Sequence, residues 1–185
     1  MRWQFCEQNP AQNLRFGYGP ASEVKRRLLT LWHSSSFFVD YANVEGFRPR
    51  WDDLASMPEG VELRPIDRWL LARVQRLIGR CEEGYEQFWT PKVAREVESF
   101  VDDLSNWYIR RSRPRFWAGD ETALRTLWVA LVQVLRVMAP LLPFLSDHLW
   151  RNLVKEGCEG APDSVHLAGW PEQVDDLVDE RLLDA

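Results

Sequence analysis

Residues suited to covalent or metal chemistry are scarce in this chain of 185 residues, which has three cysteines and three histidines. Cys6, Cys81 and Cys158 are odd in number and far apart, which fits neither a disulfide framework nor a CxxC metal knuckle. His33, His148 and His166 are equally dispersed, and no pair has the helical spacing of a zinc site, so each is expected to be structural. No GxGxxG, phosphate loop, HExxH or GxSxG occurs. The acidic pairs Asp52/Asp53, Glu82/Glu83 and Asp102/Asp103 are adjacent residues, which point to different sides of a helix and are expected on solvated faces. No catalytic or metal-binding residue is therefore assigned, and the chain itself calls for no cofactor. A free-standing helical enzyme is disfavoured. Apolar runs fall short of the roughly 18 residues of a membrane span, and the start MRWQFCEQNP lacks the basic-then-apolar order of a secretory signal. A soluble, cytoplasmic chain with no membrane partner is expected.

What is present suits a packed domain. The chain is 45% hydrophobic and 12% aromatic with ten tryptophans, and its length suits one domain of about 100–200 residues. The net charge of -5 argues at first against nucleic acid. Six acids and only Arg181 as a base fall in 172–185, however, and the remainder carries as many bases as acids. How the arginines cluster then matters more than the total.

Hydrophobic spacing predicts an all-α bundle of about five helices. A short helical stub and a loop occupy 1–20. A helix from Ser22, with Val24, Leu28, Leu31, Phe38 and Ala42 inward, should stop near Gly46. Residues 47–64, with Pro58 and Gly60, read as a long connection that must pack somewhere. Pro65 opens a second helix running towards Phe88. Thr90 as N-cap and Pro91 as N1 open a third, which should end before Pro114. Asp120 caps a fourth, apolar around most of its circumference and so the central member. Pro140 ends it, and Pro143 opens a fifth that reaches Gly157. The bundle spans 21–157, an extended strip of 158–171 lies on it, and 172–185 is an acidic tail or a further helix from Glu172.

One stretch carries chemistry. Residues 106–117 contain Arg110, Arg111, Arg113 and Arg115, four aromatics and no acid. Planar guanidinium groups bind phosphate bidentately and stack on bases, and aromatic rings give bases a platform, so the mixture suits RNA. Equally, such arginines can favour the negative end of a helix and pair with nearby acids while the aromatics enter the core. Composition alone leaves these two alternatives open.

At this stretch the chain resembles a known family. Leu104-Ser105 followed by Asn106 to Trp117 is similar to the signature of the anticodon-binding helical domain of isoleucyl-tRNA synthetases, class I aminoacyl-tRNA synthetases. LTLWHSSSFFVDYANVEGF at 29–47, DRWLLARV at 67–74, APLLPFLSDHLW at 139–150 and SVHLAGWP at 164–171 agree in order, so the resemblance covers about residues 20–171. The valyl, leucyl and methionyl enzymes share the bundle, while WYIRRSRPRFW and YANVEGF look isoleucyl-like. The resemblance implies a domain that holds the anticodon stem and loop of isoleucine tRNA. It also implies a catalytic domain on the same polypeptide, where ATP and Mg²⁺ serve isoleucylation; the catalytic signatures are absent here, and 1–20 is read as the connector to that domain. Arg110, Arg111 and Arg113, then Arg115, are the candidate RNA contacts, with Trp107 and Tyr108 orienting the helix end. His33 stands where the family more often has asparagine, and Pro114 interrupts a usually continuous basic run and redirects Arg115. The equivalent valyl domain and a helical protein-docking bundle are the alternatives.

Overall fold

The computed structural model describes residues 1–55, 61–158 and 160–183. The chain folds as α1 (Arg2–Cys6), α2 (Tyr18–Glu45), α3 (Pro65–Glu86), α4 (Thr90–Asp102), a π-helical segment (Asp103–Ile109), α5 (Arg110–Trp117), α6 (Glu121–Met138), α7 (Pro143–Trp150) and α8 (Glu180–Leu183). No strand occurs among the described residues. The α2, α3, α4, α6 and α7 helices make the predicted bundle, and α6 lies at its centre. Leu124, Leu127, Trp128, Leu131, Val134 and Leu135 are fully buried, as are Val132 and Val137 on the widened face. The Trp128 indole N–H donates to the Leu153 carbonyl at 2.8 Å, so this deeply placed ring leaves no donor unpaired.

Local signals set most helix ends. Gly46 closes α2 in the left-handed conformation (φ 65°), Pro65 and Pro143 occupy first turns, and the Asp120 side chain accepts from the Ala123 N–H at 3.1 Å. The start of α4 differs: Trp89 is the N-cap and Thr90 already lies in the helix, because Trp89 keeps a non-helical backbone (φ -107°, ψ 74°) after the turn at Phe88. The predicted stop before Pro114 also fails. Instead the π-helical segment joins α4 to α5, which carries Pro114 inside it and runs to Trp117.

The connection after α2 packs as its length requires. Phe47 and Leu54 are buried, and Asp53 pairs with Arg125 of α6 rather than facing water, which corrects the solvated-face expectation for that acid. Pro58 and Gly60 lie outside the described residues. The strip at 158–171 is not wholly extended: it contains a 3-10 turn, Val165–Leu167, and Arg136 donates to the carbonyls of Ala168 and Trp170 at 3.0 Å each. The helical tail starts later than Glu172. Gln75 accepts the Val174 N–H at 2.8 Å, which holds that backbone off the helical ladder, and α8 begins only at Glu180.

The amino-terminal stub docks on the same core. Trp3 is buried and its indole donates to Glu98 at 2.9 Å, while Arg27 donates to Glu7 at 2.8 Å and to Glu98 at 2.6 Å. Burial first, and then the hydrogen bond with Glu98, push Glu7 up to about 7. Glu98 is lowered, since the hydrogen bonds from Glu7, Trp3 and Arg27 outweigh its burial. The folded state thus holds a proton on Glu7 that the unfolded chain releases from the ordinary range of about 4.3 upward. Its contribution to stability falls as pH climbs from there through about 7, whereas that of Glu98 is lost only below the carboxylate range. Amide exchange at residues 2–6, corrected for intrinsic rates, should show tighter docking at about pH 5.5 than at about pH 8. The substitution Glu7→Gln should remove most of the difference.

Candidate nucleic-acid interface

The arm formed by 103–117 is fastened to α3 along its whole length. At its start Asp103, half-buried, accepts from the Nε of the buried Arg73 at 2.8 Å, so this acid too has a partner within the fold. In the middle the Tyr108 hydroxyl donates to Asp67 Oδ1 at 2.8 Å. At its end Arg115 grips the same carboxylate with two parallel bonds, Nη1 to Oδ1 at 2.7 Å and Nη2 to Oδ2 at 2.9 Å. The Arg115 Nε–H goes to Asp120 at 2.8 Å, and the Arg64 backbone N–H reaches Asp67 Oδ2 at 3.0 Å. A fully buried carboxylate with four donors is electrostatically satisfied, which is the condition for burying such a charge. The charge raises the Arg115 pKa: burial opposes it, and the bonds to Asp67 and Asp120 outweigh that burial. Burial, reinforced by Asp67, also raises the Tyr108 hydroxyl well above its ordinary value.

Two candidate RNA contacts thereby move to the interior. Tyr108 is fully buried and Arg115 is 8% exposed, with its guanidinium committed to Asp67 and Asp120. Their inward placement follows from the helix continuing through Pro114. Leu104, Tyr108, Ser112 and Phe116 recur at four-residue spacing on the buried side, and Arg115 lies beside Phe116. A proline inside a helix costs about 3 kcal/mol. Burial of Phe116 and the Arg115 bonds to Asp67 and Asp120 offset that cost in the turn where it falls.

The other candidates stay outside. Arg110, Arg111 and Arg113 are exposed, and none makes an ion pair among the described residues. The Arg111 guanidinium lies 3.6 Å from the centre of the Trp107 ring, which is 44% exposed and packs at 6.2 Å against Trp69. That stack holds one arginine plane ready on the surface. Trp117, 65% exposed, is fixed by its indole N–H donating to the Tyr41 hydroxyl at 2.7 Å. Exposed arginines and the anchored Trp107 and Trp117 rings therefore share the outer side of the arm.

Between α2 and the arm runs a groove of about 710 Å³, lined by Arg26, His33 and Phe37 on one side and by Ser105, Asn106 and Arg113 on the other. Sequence reasoning passed over the α2 wall. The run Lys25-Arg26-Arg27, interleaved with the inward Val24, Leu28 and Leu31, was the available signal. His33 is exposed on that wall, whereas His148 stacks on Trp32 at 5.2 Å and His166 lies 3.3 Å from the Pro143 carbonyl. No group of three or more metal-ligating side chains occurs among the described residues, and no helix there is long and apolar enough to cross a membrane.

Comparison with known proteins agrees with this architecture. The isoleucine--tRNA ligase of Thermus thermophilus is 44% identical over 191 residues, covering 99% of this chain and 18% of that protein. That of Streptomyces avermitilis is 43% identical over 169 residues, covering 91% of this chain and 16% of its own length. The chain thus spans less than a fifth of these relatives. In a crystal structure, the agnB2 LeuRS of Agrobacterium radiobacter K84, in a ternary complex with tRNA and LeuAMS, superposes with a TM-score of 0.70 at 15% identity, over 96% of this chain and 20% of that one. That likeness shows the fold. Residues 67–185 match the family model described as the anticodon-binding domain of tRNA ligase, and the chain belongs to that family.

Proposed function

We propose that this domain grips the anticodon stem and loop of isoleucine tRNA as part of an isoleucyl-tRNA synthetase, in the cytoplasm. The observation that carries this is the outer side of the 103–117 arm, where Arg110, Arg111 and Arg113 stand exposed beside Trp107 while Arg115 secures the arm from within. Phosphates take the exposed guanidinium groups, and unstacked bases find the Trp107 and Arg111 planes. ATP and Mg²⁺ act in the catalytic part of the same polypeptide, which this domain serves by holding the far end of the tRNA. The isoleucine--tRNA ligase names of relatives about 40% identical over nearly the whole chain support the choice of amino acid. Docking on the rest of the polypeptide is a compatible second role, favoured by Phe144 and Leu167, which are 89% and 71% exposed.

The test is a titration of the 185-residue chain with isoleucine and valine tRNAs at two salt concentrations. Tighter binding to isoleucine tRNA that weakens steeply with salt is the expected result. Equal binding to both would remove cognate selection from these residues, and no binding would reject the function.

A further inference from the structure

We propose that a second groove, between the 3-10 turn Trp51–Leu54 and the chain at 168–174, docks a basic, extended segment of a protein partner. Trp51, Trp170, Asp52 and Glu172 receive its arginine or lysine side chain. None of the lining residues belongs to the 103–117 arm, so this surface is separate from the RNA contacts proposed above. The groove holds about 750 Å³, within the range of about 300–1,000 Å³ typical of ligand pockets.

Charge selects the partner. Asp52 and Glu172 are both exposed, and Asp175 and Asp176, exposed as well, follow closely on the same stretch of chain. Asp52 pairs with Arg50 at 3.5 Å, but both side chains are largely exposed, and so long a contact yields readily to a better placed cation. Arg136 is the cation among the described lining residues, and it is turned into the wall. Its donors go to the carbonyls of Ala168, Gly169 and Trp170 and to the Gln133 side chain, at 3.0–3.3 Å. A rim of this kind repels phosphate and attracts arginine and lysine.

The walls suit the same side chain, because an indole face is the strongest aromatic platform for a cation. Trp51 is braced edge-on by the buried Trp150, with ring centres 5.6 Å apart, and Trp170 by Tyr85 at 5.5 Å. Arg136 lies 6.0 Å from the Trp51 ring centre, at the outer limit of that attraction, which leaves the ring usable. The Trp170 indole N–H is an independent pointer. It is buried with no acceptor among the described residues, and a main-chain carbonyl of a bound peptide is the partner it lacks. A free organic cation carries the charge but no such carbonyl; a peptide carries both. Binding does not have to order this wall either, since the Gln75 side chain accepts the Val174 N–H and its carbonyl accepts from the Gln173 amide, each at 2.8 Å.

The test titrates the full chain with labelled synthetic peptides in which serine alternates with arginine or with glutamate, and with spermine as a cation that has no peptide carbonyl. The arginine peptide should bind about tenfold tighter than either of the others. Asp52 and Glu172 are exposed, so the double substitution Asp52→Asn and Glu172→Gln leaves the core intact; it should weaken the arginine peptide about tenfold. Trp51→Leu should weaken it about fivefold. Asp40→Asn with Glu121→Gln removes two exposed acids outside the groove and should change affinity less than about twofold. Equal loss in that control pair overturns the groove, since it is long-range attraction alone. Spermine binding as tightly as the arginine peptide overturns the peptide partner. Unchanged affinity in the Asp52 and Glu172 variant, or no binding of the arginine peptide, overturns the proposal outright, and none of these results bears on RNA binding.

Discussion

The substitution Asp67→Ala is expected to lower the melting temperature by about 10 °C or more, the largest stability effect of any single change in the domain. It removes the acceptor of four donors at once: the Tyr108 hydroxyl, the Arg64 N–H and the Nη1 and Nη2 of Arg115. Breaking a buried ion pair from one side costs about 3–5 kcal/mol, and each kcal/mol moves the melting point of a chain this long by about 2–4 °C. Removing both charges, as Asp67→Ala with Arg115→Met, should recover much of the loss, because no buried charge is then left unpaired. Thermal unfolding followed by circular dichroism reads both variants. A single variant that melts within about 2 °C of the unmodified chain would show that Asp67 does not hold the arm.

Replacing Arg110, Arg111 and Arg113 together by alanine should have the largest effect on function. Each exposed charge contact is worth about a fivefold factor, so the three together should weaken tRNA binding on the order of a hundredfold at low salt. The melting temperature should hardly move, since none of the three has a structural ion pair among the described residues. Retained affinity in the triple variant would mean that the RNA lies on another face.

The fold was legible where a local rule and the tertiary structure agree. Gly46, Pro65, Asp120 and Pro143 each act within one turn of the chain, and the apolar girth of α6 announces its burial without any partner being known. Pro114 misled because its local steric rule competes with distant bonds: the turn is kept helical by Asp67, far away in sequence, and by the burial of Phe116. The same limit hid the roles of Asp53 and Asp103. Their partners Arg125 and Arg73 lie on other helices, so adjacency to another acid gave no sign of these pairings.

The candidate site was legible as a stretch but not as two faces. Composition places four arginines within six residues, and only helical phase separates them. Ending the helix at Pro114 discards that phase; carrying it through from Leu104 and Tyr108 puts Arg115 and Phe116 on the buried side and leaves Arg110, Arg111 and Arg113 outside. The α2 wall was missed for a different reason. Its basic run reads as an ordinary solvated helix face until the bundle brings Asn106 and Arg113 opposite it.

The most direct measurement compares Arg113→Ala with Arg115→Ala, each scored for the salt dependence of tRNA binding at a temperature where both are folded. A single-strand phosphate contact contributes about 0.7 to the slope of log affinity against log salt. Arg113→Ala should flatten the slope by about that much and melt normally, whereas Arg115→Ala should keep the slope and melt several degrees earlier. A flattened slope for Arg115→Ala, with that of Arg113→Ala unchanged, would contradict the division of this arm into an inner arginine that holds the fold and outer arginines that hold RNA.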